Sequence, residues 1–193
     1  TTLFHPGGDR AKDRASDRLL FVGRLNRQKG VSLLLDAVAR MRQRVHLDLV
    51  GDGPDAGRLR EQAVALGIAD RLQWHGAQPQ TALPEFYRRT SALVVPSVGE
   101  GLGLVAVEAQ LCEAPVVAFD SGGITDTVVP GETGMLVPAG DVDALAGALD
   151  RCFDDPELRR ALGRAGRMAA LGDFAPESAA RRYATLYRTA LGS

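Results

Sequence analysis

The sequence predicts an α/β fold, a doubly wound parallel sheet of about six strands with helices on both faces and extra helices at the C-terminal end. Three observations predict it. Short apolar runs that stop at glycine or proline alternate with stretches whose apolar residues return at helical spacing. Strands separated by helices cannot close as tight hairpins; they need right-handed crossovers, which give a parallel sheet covered on both sides. At 193 residues, with 45% hydrophobic and 24% charged, the chain has the size and composition of one folded domain.

Residues 1–18 are polar, with Pro6, Gly7, Gly8 and mixed charges from Asp9 to Arg18, and read as an irregular lead-in arm. Leu19 to Val22 is the first strand, stopped by Gly23; Val31, Leu33, Leu34, Leu35, Ala37, Val38 and Met41 then crowd one helical face. Val45 to Val50 is the second strand, ended by Gly51-Asp52-Gly53-Pro54, and Leu59, Ala63 and Leu66 mark the next helix, which stops at Gly67. Arg71 to His75 is a third strand, and a short helix opened by Thr81 carries Leu83, Phe86 and Tyr87. Ala92 to Val95 is the fourth strand, followed by a helix from about Gly103 to Leu111. Pro115 to Phe119 and Met135 to Val137 are the fifth and sixth strands. Helical stretches at about 141–153, 155–170 and 176–191 follow; Asp141, Asp154/Asp155-Pro156 and Pro176-Glu177 supply ordinary N-cap and first-turn chemistry. The pattern as a whole is Rossmann-like.

Composition excludes several function classes. A net charge of −1 supplies no field to hold nucleic acid or an anionic membrane. No apolar run reaches the length of a membrane span, and the first residues lack a signal-peptide layout. Cys112 and Cys152 make neither a metal cage nor a disulfide framework; they read as buried thiols of a cytoplasmic protein. Only Lys12 and Lys29 break an arginine-dominated set of cations, a bias that identifies no partner. The start Thr-Thr-Leu-Phe, without Met, leads us to expect a piece of a longer protein.

In an open parallel sheet the ligand lies beyond the carboxyl ends of the strands, so the loops after each strand are where chemistry is sought. The first, Gly23 to Gly30, holds Arg24, Arg27 and Lys29 just before a helix; converging cations there suit a diphosphate, although the same residues would make an ordinary solvated turn. The fourth, Pro96 to Gly103, has three glycines in five positions between a strand and a helix, and its free N–H groups plus the helix dipole would seat an anion. Glu100 lies at the mouth of that seat. Glu108, about five residues into the helix and so ~7–8 Å along it, could accept hydrogen bonds from a ribose diol. Either carboxylate could equally be solvated.

At these residues the chain resembles a known family. Gly23-Arg24 with Lys29-Gly30, Val50-Gly51-Asp52-Gly53-Pro54, Pro96-Ser97, Glu100 with Glu108, and Gly131-Glu132-Thr133-Gly134 look like the C-terminal donor domain of glycosyltransferase family 4, of the GT-B fold. Leu3 to Ala11 and Glu108-Ala109-Gln110 are similar to a subgroup that includes the mycothiol-pathway N-acetylglucosamine transferase and sucrose-phosphate synthase. The resemblance implies a retaining, metal-independent enzyme without a cofactor, taking a hexose-type sugar from a nucleoside diphosphate, with UDP favoured. Residue by residue, it implies that Arg24 and Lys29 hold the diphosphate and that Glu100 contacts sugar hydroxyls; these three are the catalytic candidates. It implies that backbone N–H groups of Gly101, Leu102, Gly103 and Leu104 face the sugar and distal phosphate, beside Gly23. Glu108 would bind ribose, with Gln78 and Leu83 bordering the base.

Such an enzyme has two domains of this kind, and 193 residues hold one. The acceptor-binding half would be absent, so the chain should bind donor without transferring it. The 176–191 helix, with Tyr183, Leu186, Tyr187 and Leu191 as its stripe, would cross to that half, or mediate self-association without it.

Rival readings use other residues. Gly51 to Gly57 approaches a dinucleotide fingerprint of an NAD-dependent oxidoreductase, but its third glycine is one place late, Pro54 removes an N–H, and it follows the second strand. Asp141-Val142-Asp143 resembles a metal-binding carboxylate pair, yet it opens a helix, where aspartate caps N–H groups. His5, His46 and His75 read as incidental and Trp74 as core. A non-catalytic nucleotide-sugar binding module is the remaining alternative.

Overall fold

The computed structural model describes residues 3–7, 17–99, 101 and 103–173. In chain order the elements are β1 (Arg18–Val22), α1 (Val31–Arg40), β2 (His46–Val50), α2 (Ala56–Ala65), β3 (Leu72–Gly76) and α3 (Leu83–Arg89). There follow β4 (Ala92–Val95), α4 (Leu104–Leu111), β5 (Val116–Asp120), β6 (Met135–Pro138), α5 (Val142–Asp154) and α6 (Pro156–Asp173). The six strands pair in the order β3-β2-β1-β4-β5-β6, every ladder parallel.

Alternation along the strands divides the core in two. Leu19, Phe21, Leu47 and Leu49 face α1, α2 and α5, with Leu34, Leu35, Leu59, Leu145 and Leu149 closing the layer. Leu20, Val50, Leu93 and Val95 face the opposite way, against Tyr87 of α3 and Ala106, Val107 and Ala109 of α4. α6 crosses the C-terminal end of α4 closely: a Cβ on Gly163 would lie 2.2 Å from the Glu113 carbonyl oxygen, so only glycine lets the two backbones meet.

Most expected elements stand within one to three residues of their predicted limits. The lead-in arm differs. Arg18 already belongs to β1, and Phe4 is buried against Tyr87 with the ring centroids 6.0 Å apart, because an aromatic side chain this close to the α3 face gains more from burial than from water. Trp74, expected in the core, is only partly buried, packed on the core's edge with the Arg60 guanidinium 4.9 Å from its ring. Cys112 and Cys152 are buried, and burial pushes the Cys152 thiol up to about 12. No described helix is long and apolar enough to cross a membrane. The 176–191 helix lies outside the described residues.

The topology sets where a ligand can go. From β1 the chain winds outward through β2 to β3, then returns to lay β4 on the other side of β1. The loops leaving β1 and β4 therefore diverge to opposite faces and open a crevice at their carboxyl ends.

Candidate functional site

Three loops form one rim at this crevice. The Val98 N–H donates to the Gln28 carbonyl oxygen at 3.1 Å, and Gln28 Nε2 donates to the Gly99 carbonyl oxygen at 3.1 Å. The Gly99 N–H donates to Ser121 Oγ at 2.6 Å, tying in the loop after β5. Gly30, with φ +66°, is the contact point: a Cβ there would stand 1.8 Å from the Pro96 carbonyl oxygen.

Both helices that start at this rim start bare. α1 begins after Gly30 and α4 after Gly103, each in the left-handed conformation, without a side-chain cap or an acidic residue in the first turn. α5 shows the ordinary alternative, with Asp141 Oδ1 accepting the Ala144 N–H at 2.9 Å and Asp143 in its first turn. Among the described residues no side chain caps α1 or α4, as none caps α2, and the N–H groups and dipole of such a helix start favour an anion. The short turn before α1 is shaped by Asn26, whose Oδ1 accepts the Lys29 N–H at 3.1 Å. Arg24 is exposed and Lys29 half-buried; at the α4 start Gly101 is exposed and Leu104 is 62% exposed.

Glu108 stands one turn further along α4, half-buried. Its Oε2 accepts the Tyr87 hydroxyl at 2.8 Å and its Oε1 accepts Gln80 Nε2 at 3.3 Å. The structure thus joins the loop that carries Gly23, Arg24 and Lys29 to the one that carries Gly101, Gly103 and Leu104, through Gln28, Gly30, Pro96, Val98 and Gly99, and Glu108 lies one turn into α4. Gln78 lies in the loop after β3 and Leu83 opens α3. The Gln78 side chain is exposed but folds back, donating to the His75 carbonyl oxygen at 2.7 Å, and the Leu83 side chain is half-buried against the core. Glu100 and Leu102 lie outside the described residues.

Two features escaped the sequence reading. His75 is not incidental: its Nε2 lies 2.7 Å from Oδ1 of Asp48, a residue only 2% exposed. Arg18 (3.2 Å) and Arg89 (3.3 Å) reach the same carboxylate, and the Arg89 guanidinium also lies 4.5 Å from the Phe86 ring. The available signal was a charged residue inside the apolar run of β2. The second feature is Tyr87, read as apolar stripe, whose hydroxyl serves Glu108. The Asp141–Asp143 pair divides its work: Asp141 caps α5, and Asp143 pairs with Arg40 at 2.7 Å. An open groove of about 910 Å³ runs along the start of α1, lined by Asn26 to Gln28, Gly30 to Leu33, Asp55, Arg58, Leu59 and Val98; Glu108 does not line it.

The glycines of the second loop have a packing explanation. A Cβ on Gly51 would meet the Gly23 carbonyl oxygen at 1.8 Å, and one on Gly53 the Leu25 carbonyl oxygen at 2.3 Å. They let two loops touch, and need no dinucleotide.

Comparison with known proteins matches residues 9–169 to a family described as glycosyl transferases group 1. The chain belongs to that family. As a group 1 glycosyl transferase sequence it is 38% identical to D-inositol 3-phosphate glycosyltransferase of Kribbella flavida, over 97% of this chain and 48% of that protein. It is also 38% identical to the enzyme of that name from Frankia alni, over 96% of this chain and 49% of that protein. The chain therefore spans about half the length of these curated relatives. Among solved structures it superimposes on sucrose-phosphate synthase from Thermosynechococcus elongatus with a TM-score of 0.86 and 36% identity, over 99% of this chain and 50% of that one. Anabaena Alr3699/HepE, solved in complex with UDP-glucose, shares the fold at a TM-score of 0.86 and 24% identity, over 97% of this chain and 55% of that one.

Proposed function

We propose that this group 1 glycosyl transferase chain is the C-terminal, donor-binding half of a family 4 enzyme that takes a hexose-type sugar from UDP. The observation that carries the proposal is that two helices without a side-chain cap, α1 and α4, follow loops that touch at the switch point of the sheet, the first of these loops carrying Arg24 and Lys29. Breaking a sugar–phosphate bond leaves a nucleoside diphosphate of growing negative charge. Cations and fixed N–H dipoles aimed at that charge stabilise the transition state more than the ground state. In this reading Arg24 and Lys29 do the work a divalent ion does elsewhere, so the reaction is metal-independent and needs no cofactor. Transfer proceeds with retention, the leaving phosphate accepting the acceptor's proton, and Glu100 orients sugar hydroxyls. The half that binds the acceptor lies on the other part of the protein, so this chain binds donor without transferring it. The two buried cysteines fit a cytoplasmic setting. UDP is favoured by the subgroup likeness, and the fold neighbour Anabaena Alr3699/HepE was solved in complex with UDP-glucose.

Calorimetric titration of the 193-residue chain with UDP tests this. Arg24→Ala and Lys29→Ala should each weaken binding by about 1.5–3 kcal/mol, the range for hydrogen bonds to charged groups. Unchanged affinity in both variants removes the diphosphate assignment. Glu108→Gln should weaken UDP more than 2′-deoxy-UDP, because only the ribonucleotide offers the second hydroxyl; equal losses remove the ribose assignment.

A further inference from the structure

We propose that Tyr87 is a positioning residue for donor recognition: its hydroxyl holds Glu108 by Oε2, so that Oε1 is presented outward to the ribose diol. The proposal rests on the ribose reading of Glu108 and goes beyond it by naming what orients the carboxylate and what occupies it before the donor arrives. The two oxygens of Glu108 sit in different settings. Oε2 accepts from a side chain that is 0% exposed, at 2.8 Å, a short bond. Oε1 accepts from Gln80 Nε2 at 3.3 Å, a long bond from an exposed side chain on the turn before α3.

The Tyr87 ring cannot move to follow the carboxylate. It lies in the core layer between α3 and α4, edge-on to Phe4, so the hydroxyl is a fixed point toward which Glu108 is drawn. Burial, then the neighbouring Glu108 charge, push the phenol well above its ordinary range, so Tyr87 stays a donor at any working pH. A glutamate in a helix has three side-chain torsions to settle. Fixing one oxygen removes most of that freedom before the ligand binds, which lowers the ordering cost of recognition. Each carboxylate oxygen accepts two hydrogen bonds, so Oε2 can keep Tyr87 while the ribose engages. Gln80 is the placeholder. Its long, solvent-exposed bond is the one a ribose hydroxyl replaces, and the freed amide returns to water.

The test compares UDP with 2′-deoxy-UDP by calorimetry on the full chain and on Tyr87→Phe, which removes one oxygen atom and keeps the packed ring. The parent chain is expected to prefer UDP. Tyr87→Phe should lose roughly tenfold in UDP affinity and no more than about threefold for 2′-deoxy-UDP, so the preference for the ribonucleotide shrinks. Equal losses for both ligands would make Tyr87 a purely structural residue and overturn the proposal, as would no loss for either. If the parent chain itself shows no preference, the ribose reading of Glu108 fails first, an outcome distinct from the other two. Gln80→Ala, on an exposed turn, gives a second readout independent of the core: UDP affinity should stay the same or rise slightly. A loss greater than about threefold would show that Gln80 holds the ligand and would overturn its placeholder role.

Discussion

Alanine at position 30 should cost the fold at least about 3 kcal/mol, among the largest single-residue effects available to this chain. The added Cβ would sit 1.8 Å from the Pro96 carbonyl oxygen and 2.8 Å from the carbonyl carbon. Both are backbone atoms at the end of β4, so no side chain can swing aside. At φ +66° the new residue also carries left-handed strain of its own. Relief requires the first and fourth loops to part, which breaks the Val98–Gln28 and Gln28–Gly99 hydrogen bonds and pulls the α1 N-terminus from the rim. Urea unfolding should show the loss in the midpoint, and UDP binding should fall below that of Lys29→Ala. Gly57→Ala is the control. It lies in α2 with nothing within 4 Å of its Cβ, and should be neutral or stabilising by up to about 1 kcal/mol. A Gly30→Ala chain as stable as the parent would show that the two loops do not touch as described.

Asp48→Ala should destabilise the chain by about 3 kcal/mol, the low end of the range for breaking a buried ion pair. Among the described residues the carboxylate is the anion that Arg18 and Arg89 share and that His75 contacts, and removing it leaves the two guanidiniums facing one another. The low end applies because the three partners keep 25%, 24% and 37% of their side-chain surface exposed and can turn toward water. At roughly 2–4 °C per kcal/mol for a domain of this size, the melting temperature should fall by roughly 6–12 °C. Asp48→Asn, which keeps acceptor oxygen but not charge, should fall between the two. A change under about 1 kcal/mol in Asp48→Ala would mean that the cations are held by something other than this carboxylate.

The fold was legible because its signals are local. Apolar runs ended by Gly23, Gly51 or Pro96 and helical stripes such as Leu34-Leu35-Val38 report strand and helix without reference to distant residues. Sheet limits moved by a residue or so because ladder hydrogen bonds, not hydropathy, decide where a strand ends. The loops that make the rim were legible for the same reason, since glycine between a strand and a helix marks a close backbone approach wherever its partner lies. What each glycine approaches was not legible. Gly51 and Gly53 carry a dinucleotide-like spacing in sequence, yet their requirement comes from the Gly23 and Leu25 carbonyls of a neighbouring loop. Tyr87 and Glu108 are 21 positions apart on different helices, and His75 and Asp48 are 27 apart on different strands, so neither pair leaves a periodic trace.

By itself, the amino-acid order determined the class of fold, the alternation of buried faces, and the short list of loops and charged residues from which a phosphate-binding rim can be made. Only the tertiary structure decided that β4 lies beside β1, that two uncapped helices therefore face one crevice, and that Glu108 is met by Tyr87 on one oxygen and Gln80 on the other. The physical reason is one of range. Propensity and hydrophobic period act over a few residues, whereas strand order and side-chain partnership arise from crossovers that bring distant segments within a few ångströms.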